Sequence, residues 1–265
     1  MLSASIATTA LLLLPYHQFQ DAHAQEEERV IRLLPGSSNR GATAYVEPSF
    51  YIVPTGEMLE FFNTDTEEHR IVVTSPAGDT VFDSGNMAPR GTASHLFSES
   101  GLYHFQCSIY PWMTGEVLAT DDMVTLAKTS RYGFDVQLSS SPADPRQGEQ
   151  TYFMIEFLED GAHRQHVDFV LRLENATDGS IVHRYSKHST YGLEFDRYVF
   201  DRQGQVNAEV EVYAVDFIPV EPDVMEFDIV VAPEFHLPAI VAAAAVAALL
   251  LLLRRYRPEW GIRYR

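Results

Sequence analysis

Along much of this chain the apolar residues recur with a period of two. Val206, Ala208, Val210 and Val212 alternate with Asn207, Glu209 and Glu211, and Met225, Phe227 and Ile229 alternate with Glu226 and Asp228. Val167, Phe169, Leu171 and Leu173 follow the same rule, as do Tyr132, Phe134, Val136 and Leu138. Such alternation turns one face to a core and the other to water, and it predicts half-buried antiparallel strands. Upstream, shorter runs at 58–62, 70–74, 92–97 and 103–107 are separated by Pro54-Thr55-Gly56, Pro76-Ala77-Gly78 and Pro89-Arg90-Gly91, which are turn signals. No long helix-period segment falls between residues 26 and 231. The pattern predicts an all-β body with a seam at Asp121-Asp122. It gives a first β domain over 25–122 and an immunoglobulin-like β-sandwich, without cysteine, over 126–231.

The two ends break the pattern. Residues 6–14 form an apolar run too short to span a bilayer, and Ala22-His23-Ala24 supplies the small residues of a cleavage site. Residues 1–24 therefore read as a signal peptide, with an uncleaved N-terminal anchor as the alternative. Residues 237–253 are 17 uncharged positions followed by Arg254, Arg255 and Arg257. With no polar face and an arginine cluster at its end, this segment reads as a transmembrane helix rather than a core helix. The positive-inside rule puts the basic tail, 254–265, in the cytoplasm and the body outside, at the cell surface.

Charge narrows the partners. The chain has 265 residues, with 37 acidic against 19 basic side chains, a formal net charge of −18. Only two of the basic residues are lysines, Lys128 and Lys187. Nucleic acid is excluded as an expected partner, because neutralising phosphates takes Lys/Arg patches. An acidic surface suits cationic partners, metal ions or solubility. Enzyme signatures are also missing. The chain has no phosphate-cradling glycine loop, no Gly-x-Ser-x-Gly elbow and no His-x-His pair, and its carboxylates are scattered. The expectation is a protein without substrate chemistry of its own.

The chemistry concentrates around the single cysteine. An unpaired thiol in an exported protein oxidises unless it is buried, paired between chains or bound to metal. Cys107 lies six positions before Met113, and His69 lies 38 positions upstream. A thiolate, an imidazole and a thioether form the donor set of blue-copper sites. Taken singly, a cysteine or methionine is a small hydrophobe or core filler, and a strand-end histidine a surface residue.

Taken together, these residues carry a resemblance. Residues 30–120 resemble a plastocyanin-like cupredoxin with a short, amicyanin-type ligand loop. The matching stretches are Pro35-Gly36-Ser37-Ser38, expected on the first strand, Phe62-Asn63-Thr64-Asp65 leading to His69, Asp83-Ser84-Gly85, Ala88-Pro89, Gly101-Leu102-Tyr103 leading to Cys107, and Pro111-Trp112-Met113-Thr114-Gly115. The resemblance implies a type 1-like copper cofactor held by His69, Cys107 and Met113. It also implies an electron-carrying function, with a redox protein or a copper donor or acceptor as partner. One position departs from the family pattern: the second histidine is replaced by Tyr110. Three readings stay open. Three protein ligands hold copper, favouring Cu(I) and a copper chaperone or store; another residue, Tyr110, His95 or His104, completes the set; or the domain is a metal-free structural scaffold. His104 is three positions from Cys107, so strand alternation turns it to the opposite face. The tail Pro233-Glu234-Phe235, followed by an apolar segment and arginines, resembles the PEF-type C-terminal sorting signals of archaeal surface proteins, with His236 where that family usually has glycine.

The second domain carries a looser constellation: His163, His166, Asp168, His183 and His188. His166 and Asp168, two apart on an expected strand, would share a face, and His188 could join them from the next strand. Two imidazoles and a carboxylate suit copper or zinc; the alternative is a set of surface histidines. Asn175-Ala176-Thr177 is an N-glycosylation pattern.

Overall fold

The structure, a computed structural model, describes residues 29–234. The expected signal peptide, transmembrane helix and basic tail lie outside these residues, as do Phe235 and His236 of the sorting-signal resemblance. Among the described residues every regular element is a strand, and no helix is long and apolar enough to cross a membrane.

Nine strands build the first sandwich. They are β1 (Val30–Leu33), β2 (Val46–Glu47), β3 (Phe50–Val53), β4 (Glu57–Asn63), β5 (Ile71–Thr74), β6 (Thr80–Asp83), β7 (Thr92–Phe97), β8 (Gly101–Cys107) and β9 (Thr114–Ala119). One sheet runs β2-β1-β4-β7 and the other β3-β9-β8-β5-β6. The β1–β4 and β3–β9 pairs are parallel, so distant segments meet without a hairpin between them. Between the sheets Ile31, Leu33, Leu59, Phe61, Ile71, Val73, Phe97, Phe105 and Val117 are fully or almost fully buried. Pro35-Gly36-Ser37-Ser38 lies in the turns after β1, not on the strand. The chain has already left the ladder there to wrap the end of the sandwich.

The second sandwich uses β10 (Val124–Thr129), β11 (Asp135–Ser141), β12 (Gln150–Glu159), β13 (Ala162–His163), β14 (Val167–Asn175), β15 (Ile181–Ser189), β16 (Leu193–Val199), β17 (Gly204–Val215) and β18 (Ile218–Val231). One sheet runs β10-β11-β12-β13, with β16 also on β12, and the other runs β15-β14-β17-β18. The period of two is visible in burial: alternate residues of β17 and β18 are buried from Val206 and Asp223 onward. Tyr132 falls in a turn ahead of β11, so that strand starts later than the alternation suggests. Asn175 ends β14 at an exposed turn, where its Oδ1 accepts the Thr177 N–H at 2.8 Å.

The two sandwiches touch through aromatic rings. Phe195 of β16 packs in the first core, 5.0 Å from Tyr51 and 5.8 Å from Phe50. Phe50 stacks on Tyr152 at 5.1 Å, and Arg197 reaches Glu116 at 2.9 Å.

Candidate metal centre

Strand alternation in β8 turns Tyr103, Phe105 and Cys107 inward and His104 and Gln106 outward. Cys107 is the last residue of that strand, at the edge of the core and fully buried. β5 pairs with β8 in the register Ile71↔Cys107, which carries the segment just before β5 to the same end. That segment contains His69, whose backbone exchanges hydrogen bonds with Met87 at 3.1 and 2.7 Å. The result is a buried pair: His69 Nδ1 stands 3.7 Å from Cys107 Sγ. Met113, also fully buried in the same core, closes a short loop by accepting the Cys107 N–H at 2.9 Å. His69 and Cys107 thus meet at one end of the first sandwich, and a backbone bond holds Met113 beside Cys107.

A second set of residues fixes the imidazole. Asp65 Oδ2 lies 3.1 Å from His69 Nε2, and both side chains are buried. The carboxylate also accepts N–H groups from Gly36 at 2.8 Å, Ser38 at 3.0 Å and Thr66 at 2.8 Å, and the Ser37 hydroxyl at 3.3 Å. Burial would raise the Asp65 pKa, but these donors and His69 outweigh it and hold the carboxyl well below its usual range. An ionised Asp65 holds Nε2 and turns Nδ1 toward the sulfur. Asn63 holds the loop itself: its amide donates to the Glu67 and Met87 carbonyls at 2.8 and 3.0 Å, and its Oδ1 accepts the Asp65 N–H at 2.9 Å. Residue types alone did not single out Asp65 as the partner of His69. The available signal was its place four positions before a histidine in Asn63-Thr64-Asp65.

The sulfur is electronically prepared. Burial raises the Cys107 thiol, but the His69 imidazole and the amides of Arg70, Tyr110 and Ile109 prevail and lower it. For His69 the order is similar: burial lowers its pKa, and Cys107 and Asp65 together raise it. Tyr110 lies over the pair, its ring 5.1 Å from His69 and 5.5 Å from Trp112, and its N–H points at Cys107 Sγ from 3.4 Å. Partial desolvation, then Glu67, Asp65, Cys107 and Glu68, push the phenol above its ordinary value, which opposes a phenolate ligand. Trp112 anchors the loop by donating Nε1–H to the Ser37 carbonyl at 3.0 Å.

His95 is not part of this group. It belongs to β7, packs 5.1 Å from Phe82 and 4.8 Å from Phe97, and lines a cleft with Tyr103, at the opposite end of β8 from Cys107. Four residues of strand separate those ends, roughly 13 Å. The pairing Leu59↔His95 fixes it there. His104 is exposed and reaches Glu116 at 3.4 Å, on the face away from the sulfur.

In the second sandwich His163 binds Glu156 at 3.3 Å and His183 binds Asp196 at 2.6 Å, so both are committed to separate carboxylates. His166 stands before β14 with φ 56°, not on the strand, so alternation does not place it on the face of Asp168. It still meets His188, Nδ1 to Nε2 at 3.3 Å, and His188 Nδ1 lies 2.9 Å from Asp168 Oδ1. Among the described residues no three His, Cys, Asp or Glu side chains surround a common point.

No family model matches the chain, and no curated protein does. Among solved structures it is similar to the "Novel Purple Cupredoxin from Nitrosopumilus maritimus" (25% identity, 34% of this chain and 98% of that one, TM-score 0.32). It is also similar to a reduced tryptophan-to-tyrosine variant of amicyanin (19% identity, 37% of this chain and 88% of that one, TM-score 0.30). An oxidised methionine-to-leucine variant of amicyanin matches at 19% identity over the same shares, with a TM-score of 0.31.

Proposed function

We propose that the first sandwich is a copper-binding electron carrier, held at the outer face of a membrane by the segment at 237–253. The observation that carries this reading is the buried His69–Cys107 pair at 3.7 Å with a carboxylate behind the imidazole. An ion bonded to a thiolate at about 2.3 Å and an imidazole at about 2.0 Å, at angles between tetrahedral and trigonal, keeps its donors roughly 3.5–3.7 Å apart. The observed 3.7 Å spacing fits that demand, and a thiolate, an imidazole and a thioether suit copper. Copper supplies a one-electron couple when bound. The protein's part is to keep the donors still. Asp65 orients His69, the Met113 carbonyl holds the Cys107 backbone, and two packed sheets resist rearrangement.

Ile109, Tyr110, Pro111 and Trp112 make a partly exposed apolar rim over the centre, and a cationic redox protein would be steered to the acidic surface around it. Tyr110 supports a second reading. With a phenol where a second imidazole would sit, the protein donors are few and soft, which favours Cu(I) and a chaperone or storage role. Titrating the full-length protein with Cu(II) and Cu(I) separates the two. An intense thiolate-to-copper band supports the carrier, tight colourless Cu(I) binding supports the store, and binding of neither overturns both.

A further inference from the structure

The His166–His188 pair lies in the second sandwich, and its surroundings are unusual. Five non-glycine residues among those described have positive φ, and three of them are here: His166 at 56°, Asp216 at 51° and Phe217 at 64°. Asp216 and Phe217 form the two-residue turn between β17 and β18. A turn with both central residues at positive φ ordinarily takes Asn-Gly or Asp-Gly. A phenylalanine is strained there and is retained only where its surroundings fix it. Phe217 is two-thirds exposed, yet its ring lies 4.5 Å from His166 and 4.9 Å from His188. The Asp216 N–H donates to the His166 carbonyl at 2.9 Å, and Arg164 pairs with the Asp216 carboxylate. Backbone strain and an exposed aromatic ring thus both hold the two imidazoles together, their ring centroids 5.5 Å apart at an interplanar angle of 27°.

We infer that His166 Nδ1 and His188 Nε2 are two ligands of a divalent cation of the zinc type, at a site separate from the first centre, with Asp168 as the orienting carboxylate behind His188. Two nitrogens bound to one zinc at about 2.0–2.1 Å and a tetrahedral angle stand roughly 3.3 Å apart. The observed separation is 3.3 Å, a hydrogen-bond contact that a cation would replace. Asp168 and His188 are cross-strand partners in the β14–β15 ladder, and the 2.9 Å contact is to His188 Nδ1. A proton held there frees Nε2 as a donor toward the cation, so Asp168 acts on the ligand and not as one. Nitrogen donors select zinc, copper or nickel over magnesium, which prefers oxygen. Two protein donors leave the remaining positions to water or a small anion.

The test uses the full-length protein carrying Cys107→Ser, which removes the thiolate of the first centre and separates the two sites. Calorimetric titration with Zn(II) should show one equivalent bound, with no matching heat from Mg(II). Binding should disappear in His188→Ala and in His166→Phe, the latter keeping a ring against Phe217. It should weaken about 10–100-fold in Asp168→Asn. Near-UV circular dichroism shows that each variant is folded. If the Cys107→Ser protein binds no Zn(II), or if a folded His188→Ala variant binds it equally well, the site does not exist.

Discussion

Asp65 and His69 are joined at 3.1 Å inside the first sandwich, carboxylate to imidazole Nε2, with both side chains essentially without solvent contact. The other imidazole nitrogen is thereby turned to Cys107. Asp65 has two tasks, since it also accepts the N–H groups of Gly36 and Ser38 in the loop after β1 and of Thr66 in its own loop after β4. Bonds to a charged acceptor contribute about 1.5–3 kcal/mol each, and buried donors left without one cost more. Asp65→Ala is expected to lower the unfolding free energy by about 3 kcal/mol or more, read from urea denaturation. If copper is held as proposed, Asp65→Asn weakens it about 10–100-fold in a competition titration.

Tyr110 is the position at which the ligand loop departs from its resemblance. With His69, Cys107 and Met113 in place, Tyr110→His should create or intensify the thiolate-to-copper band on addition of Cu(II). A folded variant that stays colourless would sink the proposed donor set.

Gly115 follows the loop, and a side chain has no room there. A Cβ would stand 2.2 Å from the Phe105 ring and 2.5 Å from the Ser49 carbonyl, in the core and at the β3–β9 contact respectively. Gly115→Ala is expected to destabilise by about 1–3 kcal/mol, the usual cost of overpacking, through displacement of Phe105. Thermal unfolding of the variant measures it, and an unchanged midpoint would show that β9 can shift freely.

Asp223 carries a pH dependence. Burial pushes its pKa up, but the Ser130 hydroxyl at 2.8 Å, the Arg131 N–H at 2.8 Å and the Arg131 guanidinium at 3.0 Å lower it overall. A carboxylate depressed in the folded state stabilises above its unfolded pKa of about 3.9 and loses that contribution as pH falls through the folded value. Urea midpoints for the native chain and Asp223→Asn should therefore differ at pH 6 and converge below about pH 4. A gap independent of pH would assign the effect to packing.

The contact between the sandwiches rests on rings rather than charges. Phe195→Ala removes a nearly buried ring shared by Tyr51 and Phe50 and is expected to cost about 3–5 kcal/mol. Arg197→Ala breaks an exposed pair with Glu116 and should cost about 1 kcal/mol or less. Differential scanning calorimetry distinguishes the two variants, and equal losses would contradict this ranking.

The alternation of Val206 to Val212 and of Met225 to Ile229 was enough to place β17 and β18, because a period of two has one physical meaning on a half-buried sheet. The order of His69, Cys107 and Met113 pointed to one centre for a similar reason: three soft or borderline donors seldom share a frame by accident. Three features did not follow from pattern. His95 looked like a possible ligand, but the register of β7 on β4 carries it to the far end of the sandwich. His166 looked like a strand residue sharing a face with Asp168, but it sits ahead of the strand in a left-handed conformation. Asp65 stands out in the sequence only as part of a motif, because nothing in one dimension shows that its carboxylate meets His69 inside the core.

Local periodicity was enough to predict an all-β body and the faces of β14, β17 and β18, and donor chemistry was enough to name the residue types able to bind metal. Tertiary structure alone decided which nitrogen of His69 faces the sulfur, which carboxylate stands behind it and which histidines meet in the second sandwich. Those outcomes depend on strand register and loop closure between residues far apart in the chain, and a shift of one residue in pairing turns a strand residue such as Cys107 or His188 to the other face.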